Sequence, residues 1–122
     1  MKDAPRILLV DDDRQVLRFM KHTLEGSGYE VTATTSGTEA LAVIQDRLPD
    51  LLILDLNMPE PDGFDILRVE RSQHPYLRIL VISGYLTGTL LEAARFVGAI
   101  ATIQKPFDPE TLVTKVKELI GN

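Results

Sequence analysis

Five short apolar runs, separated by longer stretches with helical spacing, constrain this 122-residue chain more than any other feature. The runs cover residues 7–10, 29–33, 51–54, 79–82 and 100–103. Those at 7–10, 51–54 and 79–82 are unbroken Ile/Leu/Val blocks rather than alternating ones, as suits parallel strands covered on both faces. Between the runs the helical period returns. Val16, Met20 and Leu24 recur every four residues, Leu17 widens their stripe, and Gly26 and Gly28 supply stop signals. Leu41, Ile44 and Leu48 form a second stripe, opened by Ser36-Gly37-Thr38 and closed before Pro49. A third helix is expected from residue 63 to about 72 and a fourth from 87 to about 96. In the last, Leu112, Val116 and Leu119 share a face, with Asp108 as N-cap and Pro109 in the first turn. Strict β/α alternation predicts an α/β fold: a five-stranded, doubly wound parallel sheet with five helices and right-handed crossovers.

The length fits one domain over residues 1–122, since domains typically run to roughly 100–150 residues. No linker or low-complexity segment interrupts it. The longest uncharged stretch, between Arg78 and Glu92, has 13 residues, short of the roughly 20 a spanning helix needs. A four-residue apolar run before three aspartates is too short for a signal-peptide core, so a cytoplasmic location without membrane insertion is expected. Thirteen basic against eighteen acidic residues give a net charge of −5. Direct nucleic-acid binding is therefore not expected, because phosphate contacts need clustered Lys and Arg. The chain has no cysteine, which removes thiolate metal sites and thiol nucleophiles.

In an open α/β sheet, ligands bind beyond the carboxyl ends of the strands. Asp11, Asp12 and Asp13 follow the first run, and Asp55-Leu56-Asn57-Met58-Pro59 follows the third. Ser83-Gly84 follows the fourth, and Gln104-Lys105-Pro106-Phe107 the fifth. Carboxylates, a hydroxyl and an ammonium thus converge on one sheet edge. Carboxylates about 4 Å apart repel by roughly 4 kcal/mol per pair at intermediate effective dielectric, so something must offset them. An oxygen-only cluster suits a hard cation such as Mg²⁺, with Mn²⁺ as a substitute. A carboxylate beside such an ion can act as nucleophile toward phosphorus, a reaction that needs mainly positioning and charge neutralisation.

The segments Ile-Leu-Leu-Val-Asp-Asp-Asp (7–13), Asp-Leu-Asn-Met-Pro-Glu-Pro-Asp-Gly (55–63), Ile-Ser-Gly (82–84) and Lys-Pro-Phe (105–107) stand in order along the whole chain. Together they resemble the receiver domain of two-component response regulators. The resemblance implies a flavodoxin-like sheet of order 2-1-3-4-5. It makes Asp55 the phosphoacceptor, taking a phosphoryl group from a phosphohistidine on a sensor histidine kinase or phosphotransfer protein. It further implies Mg²⁺ held by Asp12, Asp55 and the backbone carbonyl of Asn57, with Asp11 acting through water. Lys105 would pair with Asp55 and then with the phosphoryl group, after a cis Lys105-Pro106 bond, and the Ser83 hydroxyl would turn to a phosphoryl oxygen. Pro59, Gly63 and Pro106 would shape the loops. Output would pass through the fourth helix, fifth strand and fifth helix to an effector or output domain, with a phosphorylation-dependent dimer as one such partner. The implied enzymology is limited to the domain's own phosphoryl transfer and hydrolysis.

Other residues read more plainly. Asp13 reads as a helix-opening surface carboxylate suited to the positive end of the helix dipole. Phe107 reads as a core anchor, His22 and His74 as surface residues, and Leu90, Leu91 and Phe96 as helix packing. The chain departs from the family at Thr102, three positions before the lysine, where an aromatic is usual. The aromatic half of the usual switch is missing there. Tyr85, two residues after Ser83, matches a position where the family tunes access of water to the phosphoryl group, and its bulk is expected to slow self-dephosphorylation.

Two other functions compete. A Mg²⁺-dependent phosphatase or phosphotransferase would use Asp11 and Asp13 as its pair, with Asp11 as nucleophile, and would need a cap that 122 residues do not leave room for. A binding module that is never phosphorylated would have no use for the full set Asp11, Asp12, Asp55, Ser83 and Lys105. The resemblance implies either a stand-alone receiver or the N-terminal receiver of a longer response regulator.

Overall fold

The computed structural model describes residues 3–84 and 88–121. The elements are β1 (Arg6–Val10), α1 (Arg14–Gly26), β2 (Glu30–Thr34), α2 (Gly37–Asp46), β3 (Leu51–Asp55), α3 (Gly63–Gln73), β4 (Ile79–Ser83), α4 (Gly88–Val97), β5 (Ala101–Gln104) and α5 (Pro109–Ile120). All strand pairs are parallel, and the sheet order is β2-β1-β3-β4-β5. The unbroken apolar runs became the three central strands, as residues buried on both faces require.

Successive strand residues point to opposite faces, and each face builds its own core. Ile7, Leu9, Ile53 and Ile82 pack under α1 and α5 against Leu17, Met20, Leu112 and Val116. Leu8, Val10, Leu54 and Val81 pack on the other side against Ile44, Ile66, Leu67 and Ala94 of the remaining helices. Helix starts are set by side-chain caps. Asp13 accepts from the N–H groups of Gln15 and Val16, Ser36 from Glu39, and Asp108 from Thr111. Asp62 and Asp65 complete a reciprocal capping box at α3.

Several expectations need correction. β2 and β5 begin one residue later than their apolar runs. Tyr29 lies in the turn after α1, where its N–H donates to Leu24 and its hydroxyl to the Gly121 carbonyl at 2.6 Å. Ile100 precedes β5 and is partly exposed. Leu48 does not extend the second stripe. α2 stops at Asp46, so the four-residue spacing no longer holds, and Leu48 is 49% exposed. Phe96 is 93% exposed rather than packed, whereas Leu90 does pack on the core. Tyr85 and Thr87 lie outside the described residues, as does the side chain of Leu91. No helix among the described residues is long and apolar enough to cross a membrane.

Candidate functional site

The carboxyl ends of β1, β3, β4 and β5 place the expected residues together. Parallel register aligns Asp55 with Ile82 and Ser83 with Gln104. Past the strand ends the backbone continues the alignment, with the Leu56 N–H donating to Ile82 at 3.0 Å and the Lys105 N–H to Ser83 at 2.8 Å. The peptide bond between Lys105 and Pro106 is cis, as expected, and so is that between Glu60 and Pro61. The start of α3 presses on the end of β3. A Cβ on Gly63 would collide with the Asp55 carbonyl oxygen and come within 2.5 Å of the Leu56 Cα, so only glycine fits.

Asp55 is 3% exposed at the end of β3. One of its carboxylate oxygens accepts the Asn57 N–H at 3.0 Å, and the other lies 3.5 Å from Lys105 Nζ. Asp11 is fully buried. It accepts the Asp13 N–H at 2.9 Å on one oxygen and Lys105 Nζ at 2.8 Å on the other. Asp12 is exposed at the mouth. Asp11, Asp12 and Asp55 each offer an oxygen within 4.8 Å of the others. This donor set holds only carboxylate oxygens, with no imidazole or thiolate, and so fits a hard divalent cation such as Mg²⁺ or Mn²⁺ rather than a softer one such as Zn²⁺.

Two groups feel this geometry in their acidity. Burial, opposed by the Asn57 hydrogen bond and reinforced by the charge of Asp11, pushes the Asp55 carboxyl up to about 6 despite Lys105. Burial pulls Lys105 down. The hydrogen bond and charge of Asp11, with those of Asp55 behind them, outweigh it and hold the ammonium above its ordinary value.

The structure brings Asp11, Asp12, Asp55, Asn57, Ser83 and Lys105 together and leaves Asp13 as the α1 cap. Lys105 pairs closely with Asp11 at 2.8 Å but stands 3.5 Å from Asp55, so of the two carboxylates Asp55 is the less tightly held by the ammonium. Three features were not anticipated. Lys105 sits nearer Asp11 than Asp55. The Asn57 side-chain amide donates to the Ser83 hydroxyl oxygen at 3.2 Å, joining the loops after β3 and β4. His74 is not a plain surface residue. Its Nδ1 lies 2.7 Å from the carboxylate of Glu70, which is 1% exposed and whose other oxygen has no hydrogen-bond partner among the described residues. The available signal was that Glu70 falls on the same face of α3 as Ile66 and Leu67, four residues before His74. Phe107 packs on the edge of the core with its ring 6.1 Å from Phe19, and Thr102 is half-buried in β5 beside Val81.

The sequence matches the response regulator receiver domain family over residues 7–117. It is 36% identical over 107 residues to the alginate biosynthesis transcriptional regulatory protein AlgB of Pseudomonas aeruginosa, covering 88% of this chain and 24% of that protein. It is 36% identical over 115 residues to the response regulator MprA of Mycobacterium sp. (strain KMS), covering 94% of this chain and 50% of that one. The chain thus spans half or less of these curated relatives. Among solved structures it is similar to the chemotaxis protein CheY4 of Vibrio cholerae, with a TM-score of 0.88, 34% identity, and 95% and 98% of the two chains covered. A putative response regulator from Chloroflexus aurantiacus gives a TM-score of 0.89 at 37% identity, over 98% and 99% of the two chains. With the sheet order, the acidic strand ends and these likenesses in agreement, the chain belongs to the response regulator receiver domains, which are phosphorylation-activated signalling switches.

Proposed function

We propose that residues 1–122 form one receiver domain in which Asp55 accepts a phosphoryl group from a phosphohistidine on a sensor kinase or phosphotransfer protein. The observation that carries this reading is the placement of Asp55: a buried carboxylate at a strand end, with two further carboxylates close by and one ammonium within reach. An Asp55 oxygen attacks phosphorus, the P–N bond to the donor histidine breaks, and the histidine nitrogen leaves with the electron pair. The product is an acyl phosphate on Asp55. Lys105, already charged by its neighbours, moves its contact from the Asp55 oxygen toward the new phosphoryl oxygens. The Ser83 hydroxyl, which accepts from the Asn57 amide, turns to donate to a phosphoryl oxygen, so the loops after β3 and β4 respond together.

Mg²⁺ would be held by Asp12, Asp55 and the Asn57 carbonyl, with Asp11 through water, and Mn²⁺ would serve in its place. When bound, the ion neutralises the carboxylate cluster and the incoming phosphoryl charge. Asp55 alone then acts as the nucleophile, and catalysis extends no further than the domain's own phosphorylation and dephosphorylation. The altered charge is read on the face formed by α4, β5 and α5, by an effector, an attached output domain or a second copy. Thr102 in β5 leaves the position three before Lys105 without the aromatic that the family usually carries there. The protein works in the cytoplasm and contacts nucleic acid only through whatever it is attached to.

Intact mass after incubation with Mg²⁺ and a small phosphoryl donor tests the reading. One phosphoryl group should be gained by the native chain, only with Mg²⁺, and by none of the Asp55→Asn variant. A gain that survives in the variant would move the reaction to another residue. No gain in either would make the protein a module that works by binding alone.

A further inference from the structure

Without an aromatic at position 102, a change at Ser83 needs another route to the outer face. α4 is the helix that follows Ser83 in the chain. Its first residue, Gly88, follows Ser83 by only five positions, while its last turn lies at the opposite end of the sheet. A ten-residue helix is a rod of about 15 Å, so fixing one end decides which end can travel.

The far end of α4 is held by an unusual set of contacts. Arg71, near the end of α3, donates from Nη2 to the Gly98 carbonyl at 2.6 Å. Its Nη1 donates to the Pro75 carbonyl at 2.6 Å and more weakly to that of His74 at 3.4 Å. One guanidinium therefore ties together the end of α3, the segment before β4 and the turn after α4. The fork geometry of arginine permits this, and a lysine ammonium on a flexible stem does not reproduce it. Gly98 is matched to the arrangement. Its φ of +140° suits glycine, and a Cβ there would lie 2.5 Å from Arg71 Nε. The Gly98 and Ala99 N–H groups close the last turn of α4 onto Ala94, and the Ile100 N–H donates to Ile79 at the start of β4. Ala94 and Ala99 are buried beneath this knot.

We propose that Arg71 is a fulcrum: it pins the C-terminal end of α4 at Gly98, so that the state of the Asp55–Ser83 site is expressed as a swing of the N-terminal end of α4. The proposal rests on the phosphorylation reading above. It makes Arg71 a positioning residue 16 positions beyond Asp55 in sequence and on no part of the reaction site. Its consequence is that the outer face is re-angled rather than displaced as a block.

The absence of native cysteine makes the test direct, because spin labels go only where cysteines are introduced. Arg68, Thr89 and Phe96 are all exposed. Distances are measured between labels at Arg68→Cys and Thr89→Cys, and between Arg68→Cys and Phe96→Cys, before and after incubation with Mg²⁺ and a small phosphoryl donor. Intact mass is followed on the same samples. The 68–89 distance should shift by about 2 Å or more while 68–96 stays fixed. In the Arg71→Met background the 68–96 distribution should broaden even without phosphorylation. Arg71→Lys, which keeps the charge, should behave as Arg71→Met if the fork is what matters and serves where the methionine variant folds poorly. Equal shifts at both positions, a shift at 96 alone, or phosphorylation without any shift would overturn the fulcrum. So would a 68–96 distribution that neither variant alters. A missing mass gain would instead sink the phosphorylation reading, and the unphosphorylated variants would still decide whether Arg71 holds the helix.

Discussion

Replacing the proposed phosphoacceptor should make the protein more stable. Asp55 is buried among like charges, and its carboxyl titrates near 6 rather than at the ordinary 3.8. Between these values the folded chain keeps a proton that the unfolded chain has released. Stability therefore falls as pH rises through this window and is fully diminished above it. At about 1.36 kcal/mol for each pH unit between the two values, ionised Asp55 costs on the order of 3 kcal/mol at neutral pH. Asp55→Asn removes the charge and keeps an oxygen to accept the Asn57 N–H, so most of that cost should be recovered. Urea unfolding in metal-free buffer measures it. The midpoint of Asp55→Asn should lie well above that of the native chain near pH 7.5, and the two should converge toward about pH 4. Added Mg²⁺ should narrow the gap by stabilising the native chain alone. Equal midpoints near pH 7.5, or a gap that persists unchanged in acid, would refute the reasoning.

Lys105→Met should do the reverse. It strips the only cation that contacts fully buried Asp11 among the described residues, and loss of one partner of a buried pair typically costs about 3–5 kcal/mol. Urea midpoints without metal should drop accordingly, and Mg²⁺ should rescue more stability in this variant than in the native chain. The Glu70–His74 pair should show an asymmetry: His74→Ala leaves a buried carboxylate alone and should destabilise by about 3 kcal/mol, whereas Glu70→Met should cost under about 1 kcal/mol or stabilise. Thermal or urea unfolding of both variants checks it, and equal losses would contradict it.

The architecture and the clustering of the candidate site residues were legible because both are written locally. Unbroken runs such as 51–54 declare a central parallel strand, and polar residues just past them, Asp55 and Lys105 among them, fall at one edge by topology alone. Caps at Asp13 and Asp108 are likewise short-range chemistry. What stayed hidden depends on which side chains meet across space. The preference of Lys105 for Asp11 and the amide of Asn57 on Ser83 follow from register and rotamer, which no spacing rule encodes. Leu48 and Phe96 misled for a related reason: apolar identity fixes a cost of exposure, not a location, and a stripe is reliable only while its helix lasts.

The sheet that carries the site is also a partition between two packing problems. Leu8 and Leu9 are bonded neighbours, yet one belongs with Ile44 and Ile66 and the other with Met20 and Val116. Substitutions that reshape one side therefore have their consequences among residues distant in the chain and leave the adjacent letter untouched. Over evolutionary time each side is free to be rewritten on its own schedule, the side under α1 and α5 separately from the side under α2, α3 and α4. The strand ends, anchored to both, are where the two histories must stay compatible.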